Sequence, residues 1–172
     1  MVGCDLMPAE VKLIKACLAG QPCVLGEDRP DAPSDMTKIR APILKVLITD
    51  SLRDQPTTDI GVHLEGAYIS GLLDLWMSRA KGLTGLLKCR FDHGLEAMQA
   101  QFEILNLSGS DLPALNAPGA RVAGDVFLNN GFHANGEVIL SGAEIGGQLS
   151  CTGGRFEYPE RASWETFNRY AW

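Results

Sequence analysis

The sequence lacks the long apolar segments and the leader of a membrane or secreted protein. No stretch approaches the ~20 consecutive apolar residues that a transmembrane helix requires. The first apolar run is interrupted by Glu10, Lys12 and Lys15, so we expect no secretory signal. The five cysteines are an odd number at irregular spacing, which does not predict a disulfide framework. These absences predict a reduced, cytoplasmic protein whose cysteines are mostly small buried hydrophobic side chains.

Motifs of catalytic and cofactor sites are also missing. The three histidines, His63, His93 and His133, are far apart in sequence, and no Cys-x-x-Cys or His-x-x-x-His accompanies them. There is no Gly-x-Ser-x-Gly, and the glycine pairs do not form the Gly-x-Gly-x-x-Gly of a dinucleotide site. We therefore expect no catalytic residues, no cofactor and no metal, although an enzyme with an unrecognised site stays open.

Basic and aromatic residues are scarce as well. The chain has 15 basic and 21 acidic residues, a net charge of −6, and 7% aromatic residues. An acidic chain offers no basic footprint for phosphates, so direct nucleic-acid binding is not expected. By contrast, the 19 glycines are numerous, and they favour thin, regular packing over a bulky globule.

A ten-residue pattern recurs from about residue 61 to residue 158. Residues 66–75, 119–128 and 142–151 each read Gly, small, variable, aliphatic, variable, Gly, variable, aliphatic, variable, apolar. Fainter copies between them advance in units of about 10 or 11 residues, and two units make a turn of roughly 20–23 residues, a period typical of solenoids. Apolar residues alternate with polar ones inside each unit, which is the spacing of strands.

The pattern therefore predicts a parallel β-solenoid of about four or five coils. Because a narrow interior cannot hold two bulky side chains at each position, small residues are expected to point inward beside larger anchors. The predicted inward ladder consists of Ala67, Ile69, Cys89, Phe91, Phe102, Leu112, Ala120, Val122, Ala143, Ile145 and Phe156.

Residues 143–147 (Ala-Glu-Ile-Gly-Gly) and 110–114 (Ser-Asp-Leu-Pro-Ala) resemble the motif of pentapeptide-repeat proteins. That motif is a small residue, a polar residue, Leu or Phe, and two variable positions. The Gly-Ala-x-Ile-x-Gly-x-Leu-x-Leu form is similar to a group of largely uncharacterised bacterial proteins, some labelled membrane-associated oxidoreductases. The resemblance implies a right-handed, four-sided β-helix, a role in protein binding and, for some members, dimerisation through a C-terminal helix.

The solenoid is expected to span residues 61–158, behind an N-terminal helical cap and linker over residues 1–60. One helix is predicted to begin at Pro8 and to end before Gly20, and a second to run from about Ala41 to Ile48. Residues 21–35, rich in proline and acidic residues, predict a loop. We expect the two helices to cover the open edge of the first coil.

Residues 159–172 are predicted to form a C-terminal capping segment. Trp164, Phe167 and Tyr170 recur at the spacing of one helical face, and Ser163 can cap that helix. Two interpretations stay open: an aromatic lid on the last coil, or a contact between two copies of the chain. The chain can also be part of a longer solenoid.

These observations favour a non-catalytic protein-interaction scaffold with an unidentified protein partner. The alternative implied by the resemblance is a protein that mimics duplex DNA through stacked acidic side chains and binds a type II topoisomerase. An oxidoreductase is a remote third hypothesis, because no residues support that activity. The outward acidic residues relevant to DNA mimicry are Asp74, Asp92, Glu103, Asp111, Asp125 and Glu144, with arginines and lysines among them.

Overall fold

The computed structural model describes residues 5–51 and 59–157, which form a parallel β-solenoid of about four turns with two helices before it. The elements are α1 (Pro8–Ala19), β1 (Cys23–Val24), β2 (Lys38–Arg40), α2 (Ala41–Ile48), β3 (Gly61–Glu65), β4 (Tyr68–Ser70), β5 (Leu73–Asp74), β6 (Leu83–Leu87), β7 (Arg90–Phe91), β8 (Leu95–Glu96), β9 (Gln101–Phe102), β10 (Ile104–Asn106), β11 (Asp111–Leu112), β12 (Leu115–Asn116), β13 (Arg121–Val122), β14 (Val126–Phe127), β15 (His133–Asn135), β16 (Val138–Ile139), β17 (Glu144–Ile145), β18 (Leu149–Ser150) and β19 (Arg155–Glu157).

The described strands form four parallel sheets, one for each side of the solenoid. The first sheet has the order β1-β3-β6-β10-β14-β18 and the second β19-β15-β11-β7-β4-β2. The third has the order β16-β12-β8-β5 and the fourth β17-β13-β9, which Arg79 extends by a bridge to Gln101. The solenoid predicted from the repeat is thereby confirmed.

The pairing register fixes the length of a turn. In the first sheet, Val62 pairs with Thr84, Thr84 with Leu105, Leu105 with Val126, and Val126 with Leu149. Subtracting these numbers gives turns of 22, 21, 21 and 23 residues. This agrees with the period predicted from the sequence.

Both N-terminal helices form where the sequence predicts them. Helix α1 has Pro8 in its first turn and ends at Gly20, whose φ of 63° is the left-handed conformation that glycine adopts without strain. Helix α2 packs on β5 at the edge of the first turn, with Leu44 and Leu47 buried. The two helices therefore cover that edge.

Two short strands also belong to this N-terminal region. Strand β1 pairs with β3 and places Cys23 beside Leu64, while β2 pairs with β4 and places Ile39 beside Ile69. The sequence predicted only a loop over residues 21–35, and this was wrong at β1. A two-residue strand is too short to show a periodicity in the sequence. Strand β1 forms only by pairing with the exposed edge of β3.

A buried ion pair joins α1 to β2. The Glu10 side chain is fully buried, and its Oε2 accepts hydrogen bonds from the Met7 backbone N–H at 2.9 Å and from Arg40 Nη2 at 2.6 Å. Its Oε1 accepts from Arg40 Nε at 2.8 Å and from the Arg40 backbone N–H at 3.0 Å. Burial by itself raises the pKa of Glu10, but these hydrogen bonds together lower it.

Most of the predicted inward ladder is buried. Phe156, on β19, is 46% exposed, and Ala143 and Ile145 are only partly buried. Phe156 and Ile145 lie on the last described strands of their sheets, and Ala143 directly precedes β17, so only one neighbouring turn covers them. The ladder residues that are at most 5% exposed are Ala67, Ile69, Cys89, Phe91, Phe102, Leu112, Ala120 and Val122.

The fourth turn exchanges the large and the small inward positions. Leu112 pairs with Ala134, so alanine occupies the place of the large anchor, while Phe132, two residues earlier, is fully buried in the place of a small residue. The Phe132 ring lies 5.4 Å from the Phe156 ring between centroids. The turn still holds one large and one small inward side chain, and the exchange explains why the repeat is hard to follow near His133.

The cysteines, like the ladder residues, are less buried towards the last described turn. Cys17, Cys23 and Cys89 are buried, and burial raises the pKa of the Cys89 thiol to about 12. Cys151 departs from the expectation that the cysteines are mostly buried, because it is exposed. It follows β18, the last strand of the first sheet, so no further described strand covers it. Among the described residues, no helix is long and apolar enough to cross a membrane.

Candidate interaction surface

The outer side of the third sheet carries the most concentrated group of exposed apolar side chains. Leu73, Leu95 and Leu115 pair in register and are buried, so their neighbours in the strands point outward. One outward row along the solenoid axis consists of Asp74, Glu96, Asn116 and Ile139.

A second row lies at the corner that follows the third sheet. The Met77 backbone N–H donates to Met98 O at 2.9 Å, and the Gln99 N–H donates to Pro118 O at 2.9 Å. Trp76, Met98 and Pro118 are therefore at equivalent positions on three successive turns. Trp76 is 56% exposed and Met98 is 37% exposed. This corner presents an aromatic ring, a thioether and a proline ring to solvent.

Hydrogen bonds from the acidic row hold this corner in place. Asp74 Oδ1 accepts from the Trp76 backbone N–H at 3.0 Å, and Glu96 Oε1 accepts from the Met98 N–H at 3.1 Å. Glu96 Oε2 also accepts from Asn116 Nδ2 at 2.7 Å. The same turn thus repeats on successive coils, and each carboxylate fixes the exposed apolar residue two positions after it.

The corner backbone is left-handed on each of the four turns. Gly119 and Gly142 have φ of 64° and 66°, and the equivalent Met77 and Gln99 have φ of 50° and 54°. A methionine costs about 1–2 kcal/mol more than glycine in this conformation. Met77 is also 64% exposed, so it does not contribute to the core.

We name the exposed apolar residues Leu72, Trp76, Met77 and Met98 the third-sheet patch. Four of the ten exposed large hydrophobic residues of the described chain lie in this patch. Single exposed apolar residues are ordinary, but contiguous ones rimmed by polar groups mark interaction sites.

A separate charged network crosses the outer side of the second sheet. His133 Nδ1 lies 3.2 Å from Asp111 Oδ2, and His133 Nε2 lies 3.1 Å from Glu157 Oε2. Asp111 Oδ2 is also 3.5 Å from Arg90 Nη1 and 4.0 Å from Arg29 Nη2. Hydrogen bonds to the two carboxylates raise the pKa of His133. With Arg90, the network links four consecutive turns.

The loop between β1 and β2 joins this network from outside. Arg29 Nη1 donates to Gly109 O at 3.1 Å and to Gly131 O at 3.4 Å, which belong to the third and fourth turns. Arg90 Nε donates to Pro30 O at 2.7 Å. The loop therefore runs along the axis and fastens the N-terminal region to turns far from it in sequence.

A shallow groove of about 330 Å³ lies over the fourth sheet. Its wall includes Arg79, Gln101, Arg121 and Glu144, which pair in register on successive turns. Arg121 Nε lies 3.3 Å from Glu144 Oε2, and both side chains are mostly exposed. Glu103 also lines the groove, so two arginines stand against two glutamates, and their arrangement supports no specific chemistry.

The histidines lie on different turns, as the sequence predicted: His63 on β3, His93 after β7 and His133 on β15. Across residues 5–51 and 59–157, no three His, Cys, Asp or Glu side chains come together in a group that would hold a metal ion. Arg40 and Asp50 form ion pairs with Glu10 and Lys81.

Sequence reasoning missed the third-sheet patch. A signal was present, since the segment from Trp76 departs from the five-residue phasing and places Trp and Met outside any anchor position. The predicted interface residues Trp164, Phe167 and Tyr170 lie outside the described residues.

Comparisons with known proteins identify no relative. Scans against family models, curated proteins and solved structures each returned no match.

Proposed function

We propose that this protein is a non-catalytic protein-interaction scaffold of pentapeptide-repeat type. One observation carries the proposal: Leu72, Trp76, Met77 and Met98 are all exposed on one side of the solenoid. Tryptophan and methionine are enriched in protein interfaces, and burying such side chains favours association.

The rigidity of the sheets supports this role. The strands are paired on successive turns, and the hydrogen bonds of Asp74 and Glu96 hold the corners that carry Trp76 and Met98. A side chain held in place before binding loses less conformational entropy in a complex. Stacked repeats commonly present extended binding surfaces in this manner.

DNA mimicry is the second candidate, and the arrangement of charges favours it less. The row on the second sheet runs Tyr68, Arg90, Asp111, His133, Arg155, so cations interrupt it. In the described part of the chain, the row that begins with Asp74 and Glu96 continues with Asn116. A gyrase supercoiling assay tests this candidate: inhibition at micromolar protein would favour mimicry over the scaffold.

The proposal includes a cytoplasmic location and a homodimer that forms through residues 159–172. The three buried cysteine side chains, Cys17, Cys23 and Cys89, support a reducing compartment. Cell fractionation tests the location. The mass of the particle in solution, measured by light scattering, tests the dimer.

The central experiment compares capture of partners by matched variants. Crosslinking in a lysate of the source organism should recover specific proteins with the wild-type chain. Trp76→Glu combined with Met98→Glu should abolish that recovery. Met36→Glu is the matched control, because Met36 is 64% exposed and lies outside the patch. Recovery that is unchanged in the double variant would refute the patch as the binding surface.

A further inference from the structure

We propose that the third-sheet patch binds a basic amphipathic α-helix of the partner, lying along the solenoid axis. This inference rests on the proposed scaffold function and names the chemistry of the partner segment.

The first argument for a basic partner is the negative charge at the centre of the surface. Asp74 and Glu96 lie on consecutive turns, and neither forms an ion pair with a cation of the described chain. Asp74 accepts the Trp76 N–H, and Glu96 accepts the Met98 N–H and Asn116 Nδ2. A carboxylate has about four acceptor sites, so both groups retain capacity for lysine or arginine.

Apolar groups flank the two carboxylates on both sides. Trp76 and Met98 lie on one side, and Leu72, which is 52% exposed, lies on the other. The Leu73 N–H donates to Gly94 O and the Leu95 N–H to Ala114 O, so Gly94 and Ala114 follow Leu72 in its row. Because Gly94 and Ala114 have small side chains, they form a low strip of surface beside the acidic row.

A side chain at Gly94 would crowd Ala114 on the next turn. A Cβ added at Gly94 would lie 3.0 Å from Ala114 O and 3.4 Å from Ala114 Cβ. The acidic row is thus bordered by a low strip on one side and by the projecting Trp76 and Met98 on the other. An α-helix can lie on this surface with its basic side chains facing Asp74 and Glu96.

Two geometric arguments favour a helix over an extended peptide. Successive turns of the solenoid are about 4.8 Å apart and successive turns of an α-helix about 5.4 Å, so helix residues at i, i+4 and i+7 meet consecutive turns of the solenoid. The strands that underlie the surface are already paired with each other. An extended peptide lying on this face would leave its own backbone groups unpaired, whereas a helix satisfies them internally.

The test uses two synthetic helical peptides of about four turns. The first carries a lysine stripe flanked by leucines, and the second has the same leucines with glutamate in place of each lysine. Fluorescence anisotropy of labelled peptides with the full chain should show binding of the lysine peptide that weakens with added salt. The glutamate peptide should not bind. Equal binding of both peptides, or binding of neither, would overturn the proposal.

Variants of the protein locate the site. Asp74→Asn and Glu96→Gln keep an oxygen that can accept the corner hydrogen bond, and each should weaken lysine-peptide binding about twofold to fivefold. Glu103→Gln, an exposed carboxylate of another side, is the control and should leave binding unchanged. Equal effects of all three variants would place the peptide elsewhere and refute this site.

Failure of this inference is distinguishable from failure of the scaffold. If Trp76→Glu with Met98→Glu abolishes capture from the lysate while Asp74→Asn with Glu96→Gln leaves it intact, the surface binds a partner that is not basic. That result would overturn the present inference and keep the proposed function. Loss of capture with both pairs of variants would support both.

Discussion

Thr84 and Ser110 are hydroxyl side chains buried in the same core, but only one of them is hydrogen-bonded. Ser110 Oγ donates to Leu86 O at 2.6 Å and accepts from the Cys89 N–H at 2.9 Å. Thr84 Oγ1 has no hydrogen-bond partner and pairs in register between Val62 and Leu105. A buried polar group without a partner costs free energy, whereas a bonded one joins neighbouring turns.

Thr84→Val should raise the free energy of unfolding by about 1 kcal/mol, because it replaces the unpaired hydroxyl by a methyl group of similar size. Urea denaturation followed by circular dichroism measures the change. Ser110→Ala is the matched control and should lower stability by about 1–3 kcal/mol, since it leaves buried partners unpaired. Destabilisation by Thr84→Val would show that the hydroxyl is bonded in solution.

At the scale of elements, the strands are too short to be stable by themselves and depend on contacts between turns. The network of Asp111, His133 and Glu157 is the clearest example, because it joins β11, β15 and β19 across the second sheet. Arg90 and Arg29 approach Asp111 from β7 and from the loop after β1, and Arg155 pairs with Glu157. Protonation of His133 therefore affects several elements together.

His133 predicts a loss of stability as pH rises above about 6.5. Its pKa in the folded protein is raised above the ordinary 6.5, so its contribution is complete below about pH 6.5 and is lost as pH rises through the folded-state value. The pKa of Glu157 is lowered from 4.5, so protonation of this carboxylate affects stability only at acidic pH, outside this window. Urea midpoints between pH 6 and 9 measure the effect.

His133→Gln should flatten that pH dependence, because glutamine keeps hydrogen-bonding capacity without titrating. His93→Gln is the control: His93 contacts only Asp92 among the described ion pairs and its side chain is 64% exposed. If the urea midpoint changes with pH equally in the wild type and in His133→Gln, the His133 contacts are not maintained in solution.

At the scale of the whole molecule, burial is uneven along the axis. The first edge is covered by α1, α2, β1 and β2, and the ladder residues near it are fully buried. Towards the other end, Leu149 and Phe156 are 45% and 46% exposed. Because the strands of each turn pair with those of adjacent turns, stability should be mainly a sum of local terms that decreases towards this end.

Leu112→Ala should therefore cost about 2–5 kcal/mol, as expected for a fully buried leucine between two turns. Ile145→Ala should cost clearly less, because Ile145 is only partly buried. Thermal and urea unfolding of the two variants give the comparison. Equal losses would indicate that the described end is as well covered in solution as the middle, by residues 158–172 or by a second copy.

The sequence by itself determined the solenoid, its period and the two helices. Gly, small and aliphatic residues recur with a spacing that only stacked strands satisfy, and Pro8 and Gly20 act locally at the ends of α1. The buried anchors Ile69, Leu112 and Val122 follow from the same repeat, because inward positions are set by alternation along each strand.

Tertiary structure alone decided three features. Strand β1 forms only against the edge of β3, and the exchange of Phe132 and Ala134 depends on the volume left by adjacent turns. The third-sheet patch arises because stacking brings Trp76 and Met98, which are distant in sequence, to equivalent positions on consecutive turns. A periodic pattern specifies which residues enter the core, but the register between turns determines which outward residues become neighbours.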